Sequence, residues 1–183
     1  MIDDEQLREK YLSGETIFDG KVVHLERWQV SLPNGKTAER EIIKHIGAAA
    51  VVPIDEEGYI TLVRQHRVAI DEMTWEIPAG KLDLPGEDPL CCARRELEEE
   101  TGLNADNWQL LSRVVTTPGF CTERISIYLA TGLSQHKAHT DPDEFVRGKK
   151  IPFETAVQQV LQGKLYDQKT ALGILLAKAA LKA

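Results

Sequence analysis

The sequence predicts a mixed α/β (α+β) chain with strands interleaved among helices, and three observations carry that prediction. Apolar residues recur at strand spacing from 16 to 44 around Asn34-Gly35, two β-rich runs follow at AAAVVPI and YITLVRQHRV, and helical spacing marks 89–101 and the C-terminal stretch. At 183 residues with 42% hydrophobic content, there is material for one ordinary domain, or a domain with a smaller appendage.

Each element has its own signal. Residues 16–44 read as an antiparallel hairpin, because Asn-Gly readily takes the positive φ angles of a tight hairpin turn. AAAVVPI and YITLVRQHRV, separated by DEEG, read as two strands joined by a tight turn. Next, Asp88 stands as an N-cap, Pro89 at the first helical position and Gly102 where a helix stops, with Leu90, Ala93 and Leu97 as the apolar stripe between them. RVVTTPGF and RISIYLATGL read as a further strand pair, and FETAVQQVLQGKL and KTALGILLAKAALK as packing helices.

Composition narrows the function. With 22 Lys and Arg against 29 Asp and Glu, the net charge of −7 argues against nonspecific nucleic-acid or anionic-membrane binding. An anionic substrate would therefore need local arginines or a metal. Cys91, Cys92 and Cys121 contain no CxxC pair and leave an odd cysteine over, which suits a reducing cytoplasm better than a disulfide framework. The start, MIDDEQLREKYL, lacks the pattern of a signal peptide, and no later run approaches membrane-spanning length.

The stretch ELEEE, at 96–100, crowds four glutamates onto the predicted helix. Like charges three and four residues apart cost about 0.2–0.5 kcal/mol per pair, so something must offset them. Glu96, Glu99 and Glu100 converge on one helical face, expected opposite the Leu90–Leu97 stripe, and such a set of oxygens suits a hard divalent cation. A solvated acidic face is the ordinary reading of a lone charge run. The surroundings decide against it: Gly80, Glu87, Arg95-Glu96-Leu97, Glu99-Glu100 and Gly102-Leu103 resemble the Nudix box, GX5EX7REUXEEXGU with U aliphatic. One departure is visible, since six residues, KLDLPG, separate Gly80 from Glu87 where the pattern has five.

The resemblance implies a Nudix fold, an α/β/α sandwich around a mixed sheet, spanning 45–183, with an N-terminal antiparallel β subdomain at 1–44. It implies hydrolysis of a nucleoside diphosphate linked to another moiety, with Mg²⁺, or Mn²⁺ in its place, bridging the pyrophosphate and polarising water. Glu96 and Glu100 would be direct ligands, Glu99 a ligand or a partner of the ligands, and the Ala79 carbonyl a further one. Arg95 and Glu87 would pair to hold the loop on the helix, and Gly80 would let the backbone turn near the metal.

FDGKVVHLERWQVSLPNGKTAEREIIKHIGAAAVV, LVRQHR, WEIPAGKL, TTPGF and LYDQKTA are similar to the ADP-ribose pyrophosphatase branch of that family. The branch implies a homodimer made through the N-terminal strands. Its substrate contacts map onto Arg40, Glu41, Arg67, Pro118 and Glu123, with Arg67 suited to bidentate phosphate pairing. Surface ion pairing is the competing reading for Glu41 and Arg67. Another NDP-sugar such as GDP-mannose is the alternative substrate, and a catalytically weak nucleotide-binding domain the alternative class. In this branch a DEDEF-like loop supplies a candidate base, but here Asp141-Pro142-Asp143-Glu144-Phe145 places proline in that slot. Glu144 is expected to substitute, ahead of Asp143 and Asp141.

Other features read as ordinary structure. GKT at 35–37 fails the Walker pattern because Val30 fills its upstream glycine slot, so it is a turn. His136 and His139 are loop residues, and Trp28 and Tyr11 read as packing rather than base stacking.

Overall fold

The structure, a computed structural model, describes residues 4–135 and 147–182. The chain divides into two compact units, Met1–Gly47 with Val115–Arg124, and Ala48–Val114 with Ile125–Ala183.

The first unit holds a three-stranded antiparallel sheet of β1 (Lys10–Asp19), β2 (His24–Ser31) and β3 (Thr37–Lys44), in the order β1-β2-β3. The Asn34-Gly35 turn joins β2 to β3, with Gly35 at φ 79° and the Asn34 side chain accepting from the Lys36 N–H at 3.0 Å. The expected hairpin is thus two strands of three. β1 begins at Lys10, ahead of position 16, and every one of its residues is exposed, so no inward-outward alternation marked it in the sequence. Ile43 donates its N–H to the Phe120 carbonyl at 2.7 Å and accepts from the Thr122 N–H at 3.0 Å, which fastens 115–124 beside β3.

The second unit runs β4 (Ala48–Pro53), β5 (Tyr59–Arg67), β6 (Glu72–Glu76), β7 (Ala79–Lys81), α1 (Pro89–Thr101), β8 (Leu103–Val115), β9 (Arg124–Gln135), β10 (Arg147–Pro152), α2 (Phe153–Leu161) and α3 (Gln168–Ala180). Its strands form two sheets, β7-β4-β9-β8 and β10-β5-β6. β4 runs parallel to β9 and antiparallel to β7, so this sheet is mixed. The tight turn after β4 is present, bridged antiparallel at Ile54 and Ile60, and beyond it the chain passes from one sheet into the other. A turn signal specifies the reversal of the chain, not the strand it will pair with.

β4 explains the layering. All its residues are buried, and alternate ones enter different cores: Ala48, Ala50 and Val52 join Phe153, Ala156 and Val157 of α2 and Ile174 and Ala177 of α3, while Ala49 and Val51 join Cys92, Ala93 and Leu97 of α1. A strand buried on both faces needs helices on both faces, and this gives the three-layer sandwich. Removing Leu97, which has no exposed surface, by Leu97→Ala would cost about 2–5 kcal/mol through the cavity left behind. Among the described residues, no helix is long and apolar enough to cross a membrane.

Candidate active site

The helix α1 is set by its ends. The Asp88 carboxylate accepts from the Leu90 N–H at 2.8 Å, Pro89 occupies the first turn, and Gly102 at φ 68° closes the helix with its N–H on the Glu98 carbonyl at 2.8 Å. The glutamates fall in the C-terminal half, where the helix dipole is negative and no basic residue stands in the last turn. Their position therefore adds a second electrostatic cost to the like-charge crowding.

Glu96 and Glu100 are buried together with Cys92, Ala93 and Leu97 rather than on a face opposite the apolar stripe. The correction follows from the helical step of about 100° per residue, which sets Glu96 beside Leu97 and not across from it. The helix packs its carboxylates inward, against β7. The Glu100 Oε2 accepts from the Ala79 N–H at 3.1 Å. Gly80 lies within β7, and a Cβ there would stand 1.8 Å from Glu96 Oε1. Its role is the close approach of strand and carboxylate, not a turn.

Arg95 gathers the acids. Its Nε and Nη2 donate to Glu87 Oε1 and Oε2 at 3.0 and 3.2 Å, while Nη1 donates to Glu96 Oε1 at 2.7 Å and Glu99 Oε2 at 2.9 Å. Nη2 also reaches the Lys81 carbonyl and Asp83 Oδ1, each at 3.2 Å. The bond to Glu87 outweighs burial and, with Glu96 and Glu99, holds the guanidinium firmly charged. The loop from Lys81 to Glu87 is thereby fixed to α1, as the Arg95–Glu87 pairing anticipated. Burial, with the charges of Glu96 and Glu87, pushes the Cys92 thiol up to about 12, so it acts as packing and not as a nucleophile.

Among the described residues, no three carboxylate, imidazole or thiol groups are gathered into a ready metal-holding cluster. Nη1 of Arg95 bridges the Glu96 and Glu99 carboxylates instead. The donor chemistry nonetheless fits a hard divalent cation: the groups are carboxylate oxygens on adjacent turns, and glycine at position 80 lets the Glu96 carboxylate lie against β7 where a Cβ would overlap it.

A second centre went unread in the sequence. Glu76, on β6, is 1% exposed and accepts from Arg67 Nε at 2.7 Å, Arg67 Nη2 at 2.5 Å, Thr74 Oγ1 at 2.5 Å and the Lys169 ammonium. Burial works to raise its pKa, but the Arg67 hydrogen bonds and the charge and hydrogen bond of Lys169 bring it down to about 2. Asp167 caps α3, accepting from the Thr170 N–H at 3.0 Å and Oγ1 at 2.6 Å, and Thr170 Oγ1 in turn accepts from the Ile77 N–H at 2.9 Å. The signal was a glutamate inside the β-rich WEIP, matched by the charged pair in LYDQKTA. Arg67 keeps its positive charge through the Glu76 hydrogen bonds, against burial, and the Glu100 charge contributes.

The remaining expected residues lie in the first unit. Arg40 donates to both carboxylate oxygens of Glu9, through Nε at 3.1 Å and Nη2 at 2.5 Å. Glu41 is exposed on β3. Pro118 sits in a turn whose Phe120 and Cys121 N–H groups both donate to the Thr117 carbonyl, at 3.1 and 2.9 Å. Glu123 accepts from Thr116 Oγ1 at 2.7 Å and lies 3.5 Å from His45 Nε2. Asp141, Asp143, Glu144, His136 and His139 fall outside the described residues.

Known proteins resemble this chain in sequence and in fold. The chain is 44% identical over 183 residues to an ADP-ribose pyrophosphatase of Bacillus subtilis (strain 168), covering 98% of each, and 39% identical to one from Mycobacterium tuberculosis, covering 92% of this chain and 82% of that one. It is also 44% identical to a methanol dehydrogenase activator of Bacillus methanolicus, over 91% of this chain and 90% of the other. A solved structure described as an ADP compounds hydrolase superposes with a TM-score of 0.85 at 22% identity, over 96% of both chains, which supports the fold. The NUDIX domain model matches residues 44–171, and the chain belongs to the Nudix family.

Proposed function

We propose that this chain hydrolyses the pyrophosphate bond of ADP-ribose to AMP and ribose 5-phosphate, with Mg²⁺ as the working cation and Mn²⁺ as a substitute. The carrying observation is the inward-facing box: Glu96 beside Gly80, Glu100 on Ala79, and Glu87, Glu96 and Glu99 sharing one guanidinium. Nudix hydrolases in general depend on a divalent metal. Glu96 and Glu100, with Glu99 and the Ala79 carbonyl, would hold it. A cation bound there supplies neutralisation of the pyrophosphate and polarisation of the attacking water.

The chain's own groups do the rest. Arg95 and Glu87 hold the loop on α1. Arg67 uses Nε and Nη2 on Glu76 and keeps Nη1 for a phosphate oxygen. Glu123, steadied by Thr116, meets a ribose hydroxyl, and Pro118 shapes its loop. Arg40 and Glu41 contact the substrate in a site shared across a homodimer, for which the exposed Tyr11, Leu12 and Phe18 of β1 supply an apolar face. Glu144, or Asp143 in its place, takes the proton of the attacking water. The three free cysteines suit a cytoplasmic enzyme.

The test is product release from ADP-ribose, GDP-mannose, UDP-glucose, NADH and diadenosine polyphosphates with Mg²⁺ present. ADP-ribose is expected to turn over fastest. GDP-mannose is the second reading, because a GDP-mannose pyrophosphatase matches at 33% identity over 69% of this chain. Preference for a dinucleoside polyphosphate would reject the branch, and ligand-dependent melting without turnover would make the chain a binding domain. Glu144→Gln, Asp143→Asn and Asp141→Asn, assayed across pH, identify the base: its loss alone costs about 10²–10⁴-fold at neutral pH. Light scattering showing a fully active monomer would remove Arg40 from a shared site.

A further inference from the structure

The sheet β10-β5-β6 has two faces, and the site described so far uses one of them. Val63 is opposite Glu76 and Arg67 opposite Glu72, so Arg67 and Glu76 share a face. The other face carries Arg64 opposite Trp75 on one side and opposite Arg147 on the other, with Lys149 opposite Leu62 one step along. Three cations thus gather on one patch of a chain whose net charge is −7. Directly opposed like charges destabilise a strand pair, so Arg64 against Arg147 is unfavourable unless an anion lies between them.

The patch has a defined form. The Arg64 guanidinium and the Lys149 ammonium both lie over the Trp75 ring, at 5.3 and 5.8 Å from its centroid, which holds two flexible side chains in place. Beside them is a small cavity lined by Leu62, Trp75, Lys149, Ile151 and Gln159. Lys150, on the opposite face, pairs with Asp55 at 3.2 Å, whereas none of Arg64, Arg147 and Lys149 has a carboxylate partner among the described residues.

We propose that Arg64, Arg147, Lys149 and Trp75 form a binding site for a phosphomonoester dianion, separate from the carboxylate box. A phosphomonoester carries nearly two negative charges and several acceptor oxygens, which match a guanidinium fork and neighbouring cations. The apolar floor of Leu62 and Ile151, with the Gln159 amide, takes the carbon part of the ester. The cavity is small, so the ligand is a compact ester or phosphate itself rather than a peptide.

The experiment titrates the full-length chain, without added divalent metal, with inorganic phosphate, ribose 5-phosphate and AMP, reading heat and tryptophan fluorescence. Saturable one-site binding is expected for at least one probe, at least tenfold weaker in Arg64→Gln and Lys149→Gln, and within threefold of wild type in Lys150→Gln. Equal affinity for phosphate and the esters assigns the site to the anion alone, and tighter ester binding adds the cavity; both support the site. No saturable binding by any probe at millimolar concentration overturns it. So does binding that Arg67→Gln abolishes while Arg64→Gln and Lys149→Gln leave it intact.

Discussion

Two centres in the second unit bury carboxylates, and they neutralise them to different degrees. Glu76 has two cations and a hydroxyl hydrogen-bonded to it, one of those cations, Lys169, being shared with Asp167, and its pKa falls to about 2. In the box, Glu87, Glu96 and Glu99 share the one guanidinium of Arg95, with Glu100 a turn away on the Ala79 N–H. The first arrangement is complete within the chain and ties α3 and β5 to β6. The second has acid in excess at the negative end of a helix, and an added cation relieves it. The difference separates a carboxylate whose charge is met within the chain from carboxylates that share one cation, and the proposed function assigns the second set to chemistry.

The sharpest way to break this comparison is to neutralise the box. Glu96→Gln or Glu100→Gln should keep the fold, with a melting temperature no lower than wild type without metal, yet lose about 10³-fold in turnover because a ligand of the working cation is gone. Near wild-type turnover in either variant would make the box as structural as Glu76. Removing the shared cation tests the same contrast from the other side. Arg95→Ala should destabilise the metal-free chain by about 3 kcal/mol in urea unfolding, since buried acids lose their partner. Divalent metal should restore part of that loss; a variant indifferent to metal would contradict the acid excess.

Glu76 should answer to pH instead. Its folded pKa, about 2, lies below the ordinary 4.5, so its contribution is present above pH 4.5 and is lost as pH falls through about 2. Wild type should therefore exceed Glu76→Gln in stability by about 3 kcal/mol at pH 6, the gap narrowing towards pH 2.5. A gap that stays constant over that range would remove the charge argument. The smallest effect expected is Gly80→Ala, whose Cβ must displace the Glu96 carboxylate and lower turnover by about 10²-fold with little change in melting temperature. A fully active variant would show that Glu96 needs no room beside β7.

Local signals were legible. Asp88, Pro89 and Gly102 bounded α1 correctly because caps act within a single turn, and the spacing from Glu87 through Glu100 identified the box for the same reason. Strand existence was readable where residues alternate or run apolar, as in β4, and unreadable in exposed β1 or charged β10. Tertiary structure decided what depends on distant segments: that the turn after β4 leads into a second sheet, that Glu96 and Glu100 face inward, and that Glu76 of β6 meets Lys169 of α3, 93 residues on. The sequence by itself determined the helix, its caps and its acidic composition, since these depend on neighbours within a few residues. Only the folded chain decided which charges are compensated, because compensation is set by distance in space and burial, neither of which local spacing encodes.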